Sequence, residues 1–226
     1  QSNGFWSVRE ITKLYFGTSG DLPVPNDYNG DGTTDFAIFR PGTGYWAIRH
    51  LGNFYFGAAN DSPVPADYDG DGSCDIGVFR TSNGLWAIRN ITAAWWGMAG
   101  DSPVPGDYDG DSSSDIGICR PTNGLWVLRR ISKMYFGTSG DLPVPGDYNG
   151  DAAWEVGIFR SSNALWAIKD MTKFYFGSSG DSPVPADYDG DATDGFAIFR
   201  PPNARWVVRG ITKLYYGSGG DIPVTR

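Results

Sequence analysis

The chain has 226 residues, 40% of them hydrophobic and 15% aromatic, with 32 glycines, and this length is sufficient to bury a full hydrophobic core. Its net charge of −8 argues against nucleic acid as a partner, because phosphate backbones are bound by basic surfaces. No run of about 18 apolar residues occurs, which argues against a membrane-spanning helix.

A repeat of 40 residues runs through the chain without an insertion. Aspartate opens each copy, at Asp21, Asp61, Asp101, Asp141, Asp181 and Asp221. A fixed period of this length indicates one supersecondary unit that stacks on copies of itself. We therefore expect a single repeat domain over residues 1–226. It comprises a partial copy (1–20), five full copies (21–60, 61–100, 101–140, 141–180 and 181–220) and a partial copy (221–226).

The second copy illustrates the predicted elements. In chain order they are a strand over 63–68, an acidic loop over 67–75, a strand over 76–80, an Asn-Gly turn over 81–84, a strand over 85–89 and a strand over 94–96. The two prolines of the first segment suit only a strand start or a sheet edge. Four strands of about five residues fill such a copy, and no stretch has helical periodicity. The pattern predicts an all-β fold, a β-propeller of four-stranded blades.

Each full copy contains an acidic loop in which the spacing of the carboxylates indicates cation binding. Of the 24 aspartates, 22 occupy only five positions of the repeat, whereas a merely soluble surface would scatter Asp and Glu together. In the second copy carboxylates stand at loop positions 1, 3, 5 and 9, and a glycine stands at position 6, as a hard, oxygen-seeking cation requires. The backbone carbonyl of Ser73 at position 7 would complete the shell. We predict one Ca²⁺ per loop; the alternative is an array of Asx turns that only caps hairpins.

The five loops differ in their donor sets. The expected ligands are Asp27, Asn29, Asp31 and Asp35; Asp67, Asp69, Asp71 and Asp75; Asp107, Asp109, Asp111 and Asp115; Asp147, Asn149, Asp151 and Glu155; and Asp187, Asp189 and Asp191. Ser112 replaces the glycine of the third loop. The fifth loop has Gly195 at position 9 and Asp194 one residue early, so the site at 187–195 is predicted to be the weakest. Because clustered carboxylates repel one another without a cation, calcium is expected to stabilise the fold.

These residues resemble the FG-GAP repeat. The resemblance rests on Phe-Gly, a short strand, Asp-x-Asp-x-Asp-Gly-x-x-Asp and an apolar strand ending in Pro, as in residues 16–41 and 136–160, and it covers essentially the whole chain. The family includes the integrin α-subunit propeller and many bacterial VCBS-type extracellular proteins. It implies a propeller with calcium in the loop between the first two strands of a blade. The Phe-Arg-Pro or Phe-Arg-Ser/Thr ending and the shorter repeat resemble the bacterial and lectin-like branch more closely than the integrins.

The number of blades does not follow directly from the repeat. Residues 1–20 supply only the third and fourth strands of a copy, and residues 221–226 supply only the start of a first strand. Six copies of 40 residues would need 240, so a sixth copy lacks 14. We favour six blades over five, with the closing blade shared by both ends, because pairing the ends would remove exposed edges. A fragment of a longer protein is the alternative.

A tryptophan followed three residues later by a basic residue recurs in the third strand. The candidate ligand-binding pairs are Trp46 and Arg49, Trp86 and Arg89, Trp126 and Arg129, Trp166 and Lys169, and Trp206 and Arg209. One interpretation is a sugar site between blades, where the ring stacks on the sugar and the arginine donates to hydroxyls. The other, favoured for any single tryptophan, is core packing between blades. Arginine also ends the second strand, and a tyrosine or tryptophan recurs in the fourth.

Catalysis is not expected. His50 is the only histidine, the two glutamates Glu10 and Glu155 lie in different copies, and nearly all aspartates belong to repeated positions. The sequence therefore predicts a calcium-stabilised binding module. Carbohydrate (a multivalent, lectin-like or adhesion function) is the preferred ligand. Calcium loops of this kind favour an extracellular or cell-surface location, where free calcium is high. The alternatives are a structural or protein-interaction propeller and an accessory domain of a secreted hydrolase.

Overall fold

A computed structural model describes residues 3–224 as an all-β chain. Within that range lie five four-stranded antiparallel sheets and one two-stranded sheet, spaced at the 40-residue period. The five complete sheets are the blades of a β-propeller, which confirms the predicted fold class. Within the described residues the chain divides into two compact units, residues 3–99 and residues 100–224.

The first unit contains the two-stranded sheet and two blades. The two-stranded sheet consists of β1 (Phe5–Val8) and β2 (Thr12–Tyr15). The blades consist of β3 (Leu22–Pro23), β4 (Ala37–Arg40), β5 (Tyr45–Ile48) and β6 (Gly52–Tyr55), and of β7 (Asp61–Pro63), β8 (Gly77–Arg80), β9 (Leu85–Ile88) and β10 (Thr92–Trp95).

The second unit contains three blades. They consist of β11 (Ser102–Pro103), β12 (Gly117–Arg120), β13 (Leu125–Leu128) and β14 (Ser132–Tyr135); of β15 (Leu142–Pro143), β16 (Gly157–Arg160), β17 (Leu165–Ile168) and β18 (Thr172–Tyr175); and of β19 (Ser182–Pro183), β20 (Ala197–Arg200), β21 (Arg205–Val208) and β22 (Thr212–Tyr215). A 3₁₀ turn at Pro201–Asn203 joins β20 to β21.

Each blade is a meander whose strands pair in sequence order, so its fourth strand lies at the edge of the sheet. The first strand is shorter, and begins earlier, than the sequence predicts: β7 ends at Pro63, and Pro65 follows after one residue. Because proline has no N–H to donate, the regular ladder ends there. Beyond it the Val64 N–H donates to the Gly77 carbonyl at 2.9 Å, and a single bridge joins Ala66 to Asp75.

The core lies between the sheets of successive blades within each unit. In the first unit, Phe39 and Trp46 pack with Ile76 and Val78 of the following blade. In the second unit, the blade that contains Trp126 packs in the same way against the next. The third-strand tryptophans are therefore at the centre of the hydrophobic core. Burial of these large aromatic surfaces supplies much of the stabilisation that short strands cannot provide alone.

The two-stranded sheet of the first unit consists of the third and fourth strands predicted for residues 1–20. Residues 221–224 form no strand, and residues 225–226 lie outside the described part of the chain. The number of complete blades is five, so the closing blade expected from a six-bladed arrangement is represented in the described residues by two strands. Cys74 and Cys119 are buried and free, as expected from their different repeat positions.

Candidate metal and ligand-binding sites

Three of the five acidic loops bring carboxylates together. The groups are Asp67, Asp69 and Asp71; Asp107, Asp109 and Asp115; and Asp187, Asp189 and Asp191. In each group one carboxylate oxygen per residue lies within 4.8 Å of the others. Two oxygens that bind one Ca²⁺ at about 2.3–2.6 Å are at most about 5 Å apart, so these clusters fit a single ion. The loops can hold a divalent metal ion.

The first and fourth loops have asparagine at position 3. In the fourth loop the Asn149 amide donates to Asp151 (3.1 Å) and to Glu155 (2.5 Å). Glu155 also accepts the backbone N–H of Tyr148 at 2.9 Å, as Asp35 accepts that of Tyr28 at 3.1 Å in the first loop. The longer glutamate side chain therefore reaches the position that aspartate occupies elsewhere.

The loops are built on their first aspartate, which accepts backbone N–H groups from the turn it begins. Asp187, for example, accepts from Gly190 at 2.7 Å and from Ala192 at 3.1 Å. These bonds lower the pKa of Asp187 below its ordinary value, the Gly190 bond having the largest effect. Position 6 has a positive φ even where glycine is replaced: φ is 88° at Gly72 and 72° at Ser112. The loop geometry therefore survives the substitution, at the cost of backbone strain.

Burial and neighbouring carboxylates raise the pKa of the ninth-position aspartate in the second and third loops. The pKa of Asp115 is raised to about 6, first by burial and then by the charges of Asp109, Asp107 and Asp111. The pKa of Asp75 is raised by burial and by the equivalent charges of its loop. A cation among these oxygens would remove the repulsion between them.

The fifth loop departs from the others as its sequence suggests. Gly195 offers no side chain at position 9, and the Asp194 carboxylate is turned to the preceding loop, where it accepts the backbone N–H of Asp147 at 3.1 Å. The Asp194 N–H in turn donates to the Asp147 carbonyl at 2.6 Å. The three remaining aspartates still converge, and the lower affinity of this site stays a prediction.

The tryptophans proposed to stack on sugars are not available to a ligand. Trp46, Trp86, Trp126 and Trp166 are 0% exposed, and Trp206 is partly buried. Each indole Nε1 donates to the backbone carbonyl ten residues on, as Trp86 does to Trp96 at 3.0 Å. A sugar site at the four fully buried indoles is therefore wrong, and the core interpretation accounts for them. Because these four side chains have no exposed area, neither face of their rings is open to a ligand.

Two of the basic residues that follow these tryptophans stack on an aromatic ring of the preceding blade. The Arg89 guanidinium lies 4.3 Å from the ring centroid of Phe54 on the preceding blade, and that of Arg209 lies 4.0 Å from Phe174. Both arginines are exposed, while Arg49, Arg129 and Lys169 are partly buried. Cation–π stacking on a neighbouring blade is therefore the observed role of Arg89 and Arg209.

The arginine that ends the second strand is fixed by the aspartate that opens the copy. The pairs are Arg40 and Asp21, Arg80 and Asp61, Arg120 and Asp101, Arg160 and Asp141, and Arg200 and Asp181, with N–O distances of 2.6 to 2.8 Å. Each aspartate side chain is at most 3% exposed, whereas the arginines remain 22 to 39% exposed. The bonds to aspartate use Nε and Nη2, so the guanidinium is oriented and Nη1 points elsewhere.

Exposed aromatic side chains recur instead at the end of the fourth strand. These outer-strand aromatics are Tyr15, Tyr55, Trp95, Tyr135, Tyr175 and Tyr215, each 69 to 73% exposed. In each of the five blades, the second-strand arginine pairs with the first residue of the third strand, and that residue pairs with the outer-strand aromatic. The arginine and the aromatic are therefore in the same row across the sheet. The alternation of the fourth strand was the signal for this surface, because its second and fourth residues must share one face.

A second exposed set lies at the turn between the third and fourth strands. These hairpin-turn residues are Ile11, Leu51, Ile91, Ile131, Met171 and Ile211, between 36 and 79% exposed. In the fourth blade, Met171 lines an open groove with Lys169, Asp170, Asn149 and Glu155 of the same blade. The apolar turn residue and the acidic loop therefore lie at the same end of that blade.

His50 is exposed in a hairpin turn with a φ of 68°. Among residues 3–224, no helix is long and apolar enough to cross a membrane.

Comparison with known proteins yields structural neighbours only. No protein-family model matches the chain, and no curated protein matches it. Crystal structures of BBS1N in complex with ARL6DN are similar in fold: the mercury-soaked crystal has a TM-score of 0.51 at 11% identity, and the lead-soaked crystal has 0.54 at 10%. Both alignments cover 86% of this chain and 68% of the matched chain. At this identity the likeness supports the propeller fold alone.

Proposed function

We propose that this chain is a non-enzymatic interaction propeller that docks a protein partner. The observation that carries the proposal is the contrast between its buried and exposed repeated positions. The tryptophans and the aspartate–arginine pairs are used in structural contacts, whereas exposed apolar and aromatic side chains recur from blade to blade. Recurrent exposed apolar side chains are more typical of binding surfaces than of catalytic centres. A fold neighbour, BBS1N, was crystallised with a protein partner, which is consistent with this use of the fold.

The hairpin-turn residues are the proposed docking surface for the protein. In the second unit, Ile131, Met171 and Ile211 are 36 to 46% exposed, and each follows a turn at the same end of its blade as the acidic loop. An apolar patch beside charged groups has the composition of a protein interface, with an apolar centre and a polar rim. The open groove beside Met171 is a concave part of that surface, into which a partner side chain could bind.

Calcium is the proposed ion for the acidic loops. Three observations support this assignment: ligands that are all oxygen, the spacing of carboxylates at positions 1, 3, 5 and 9, and the convergence of three loops. The role proposed for the ion is structural, since it would join carboxylates that otherwise repel. An extracellular or cell-surface location follows from the same chemistry, because such sites need a high free calcium concentration. The resemblance to FG-GAP repeats points in the same direction.

A matched pair of variants tests the docking surface. Ile131→Ser with Met171→Ser alters two hairpin turns, and Tyr135→Ser with Tyr175→Ser alters two outer strands of the same blades. The wild-type chain, in millimolar calcium, would first be used to isolate binding proteins from a cell-surface preparation. Each purified protein would then be titrated calorimetrically. We expect at least a tenfold loss of affinity in the turn variant and little change in the outer-strand variant. Equal affinity for wild type and turn variant would overturn the proposal.

Carbohydrate binding is the second candidate function. The specific observation that favours it is the outer-strand aromatics, each 69 to 73% exposed, because an aromatic side chain open to solvent can stack on the apolar face of a sugar. The site differs from the tryptophan–arginine pairs expected from the sequence. Loss of partner affinity after enzymatic removal of the partner's glycans would support this candidate over protein docking.

A further inference from the structure

The three blades of residues 100–224 share a set of side chains on their outer strands. Lysine is the second residue of the fourth strand and tyrosine is the last, so both project from one face, and both are exposed. The pairs are Lys133 and Tyr135 on β14, Lys173 and Tyr175 on β18, and Lys213 and Tyr215 on β22. Alternate residues of a strand lie about 6–7 Å apart, so each pair offers a cation and an aromatic ring within the length of one sugar unit.

The second-strand arginine completes this set in each blade. Arg160 lies opposite Leu165, which lies opposite Tyr175. Its Nε and Nη2 atoms bond to Asp141 at 2.7 and 2.8 Å, and Nη2 bonds to Thr138 at 2.9 Å. Within the described residues, all hydrogen bonds of this guanidinium come from those two nitrogens. Nη1 is therefore a fixed donor that is free for a ligand oxygen.

The local charge of this surface is opposite to that of the whole chain. The buried aspartate neutralises the arginine in each blade. Among residues 3–224 the three lysines form no ion pair, so each adds a positive charge, and Arg205 beside Tyr215 adds one more. The tyrosine lies at the end of the blade opposite the acidic loop, because Gly117 pairs with Leu128 near the loop, whereas Arg120 pairs with Leu125 near the tyrosine. The lysine lies between the two, since Lys133 pairs with Val127. A negatively charged ligand is therefore favoured on the outer strands despite the net charge of −8.

We propose that the outer strands of residues 100–224 bind an acidic polysaccharide rich in uronic acids; this inference rests on the second proposed function. In each blade the tyrosine ring stacks on the apolar face of a sugar, the lysine pairs with a uronate carboxylate, and arginine Nη1 donates to a hydroxyl. The three equivalent subsites belong to consecutive blades, so one long chain gains affinity by engaging several of them. An acidic peptide has the charge but not the flat apolar sugar face that the exposed tyrosines fit.

The first unit supplies an internal control, because it lacks the lysine in its full blades. Asn53 stands two residues before Tyr55, and Ala93 stands two residues before Trp95. The aromatic ring is retained there without the cation. Lys13 and Tyr15 repeat the pair on β2 of the first unit, so only its two full blades serve as this control. If the cation matters, substitutions in those two blades should have little effect on binding of an anionic chain.

The test uses hyaluronan oligosaccharides of two lengths as the probe, because they alternate a uronate with an N-acetylhexosamine. A neutral N-acetylglucosamine oligomer and poly-glutamate are the comparison ligands. Binding is measured by calorimetry with the full chain in millimolar calcium. We expect the longer hyaluronan oligomer to bind more tightly than the shorter one, and tighter than both comparison ligands, with affinity that falls as salt rises.

The variants separate charge from stacking. The triple variant Lys133→Gln, Lys173→Gln and Lys213→Gln should lower hyaluronan affinity at least tenfold and flatten its salt dependence. The triple variant Tyr135→Ala, Tyr175→Ala and Tyr215→Ala should abolish binding, while Tyr55→Ala should change it less than twofold. All these side chains are exposed, so unchanged thermal unfolding is expected and would be checked for each variant.

Three outcomes would overturn the inference. They are no hyaluronan binding by the folded wild-type chain at millimolar ligand, equal affinity for the neutral oligomer, and tighter binding of poly-glutamate, which would assign the surface to acidic peptides. Protein docking at the hairpin turns is measured separately, with the Ile131 and Met171 variants, and the tyrosine variants lie at the opposite end of the blades. Failure of one proposal therefore leaves a distinct signature from failure of the other.

Discussion

Replacing Trp166 with alanine tests whether the repeated tryptophans are core residues. The side chain is 0% exposed, its indole N–H donates to the Phe176 carbonyl at 3.0 Å, and its ring lies 5.1 Å from that of Phe159 and 5.4 Å from that of Phe196. A buried tryptophan removes about 150–250 Å² from water, worth about 4–6 kcal/mol at roughly 25 cal/mol per Å². Alanine keeps only part of this contribution and leaves the Phe176 carbonyl without its donor, which costs about 1–3 kcal/mol more.

We expect Trp166→Ala to lower the free energy of unfolding by about 4 kcal/mol, in the range of about 3–5 kcal/mol found for large aromatic truncations in cores. Urea unfolding followed by far-UV circular dichroism would measure it. Tyr175→Ala in the adjacent strand is the matched control: this side chain is 69% exposed, and its loss should change stability by less than about 0.5 kcal/mol. A Trp166→Ala protein within about 1 kcal/mol of wild type would refute the core assignment and reopen the indole as a ligand site.

Three further predictions concern the loops and the contacts that support them. Removing calcium with a chelator should lower the midpoint of thermal unfolding. Asp109→Asn should make this decrease smaller, because it removes one of the converging carboxylates. A midpoint that changes with neither calcium nor chelator would count against metal binding. Gly106→Ala should destabilise the second unit by about 1–3 kcal/mol, because a Cβ there would overlap the Trp154 ring, and Trp154→Ala in the same chain should relieve the overlap. Burial would raise the pKa of Asp141, but its bonds to arginine and backbone outweigh this and lower it, so the folded state favours the ionised form. Its stabilising contribution is therefore present above about pH 4 and is lost as the pH falls below that value, and Asp141→Asn should flatten the acid limb of a stability–pH curve.

The blades could be predicted because each copy states the same pattern independently. Apolar residues alternate along the segment 76–80, which ends in arginine, and β8 occupies Gly77–Arg80. After the Asn-Gly turn, β9 begins at Leu85, as expected. The predicted first strand was misplaced because Pro63 and Pro65 were interpreted as parts of one strand. In the structure only Pro63 lies in the ladder, since neither proline can donate a hydrogen bond.

The ligand surface was predicted less well, because burial depends on which face of a strand meets the next blade. Trp86 and Trp95 both belong to the repeat and both carry an indole, yet one is 0% and the other 72% exposed. Trp86 stands in the third strand, which is covered within the stack, whereas Trp95 ends the fourth strand at the sheet edge. The repeat shows which residues of a strand share a face. Only the packing of neighbouring blades decides whether the Trp86 or the Trp95 ring is exposed to solvent.

Contacts between neighbouring acidic loops explain why the fifth loop has Asp194 and Gly195 in place of a ninth-position aspartate. Asp194 looks like a ligand displaced by one residue, yet its carboxylate lies against Gly146 and accepts the N–H of Asp147 in the preceding loop. Trp154 stands at the equivalent repeat position and lies against Gly106 in the same way. Both contacts join residues 48 positions apart, so a large side chain at one position requires glycine at the other. The fifth loop thus lacks a fourth carboxylate, and the displaced Asp194 instead holds the fourth loop in place. The two acidic loops are therefore linked to each other by hydrogen bonds that involve their backbones.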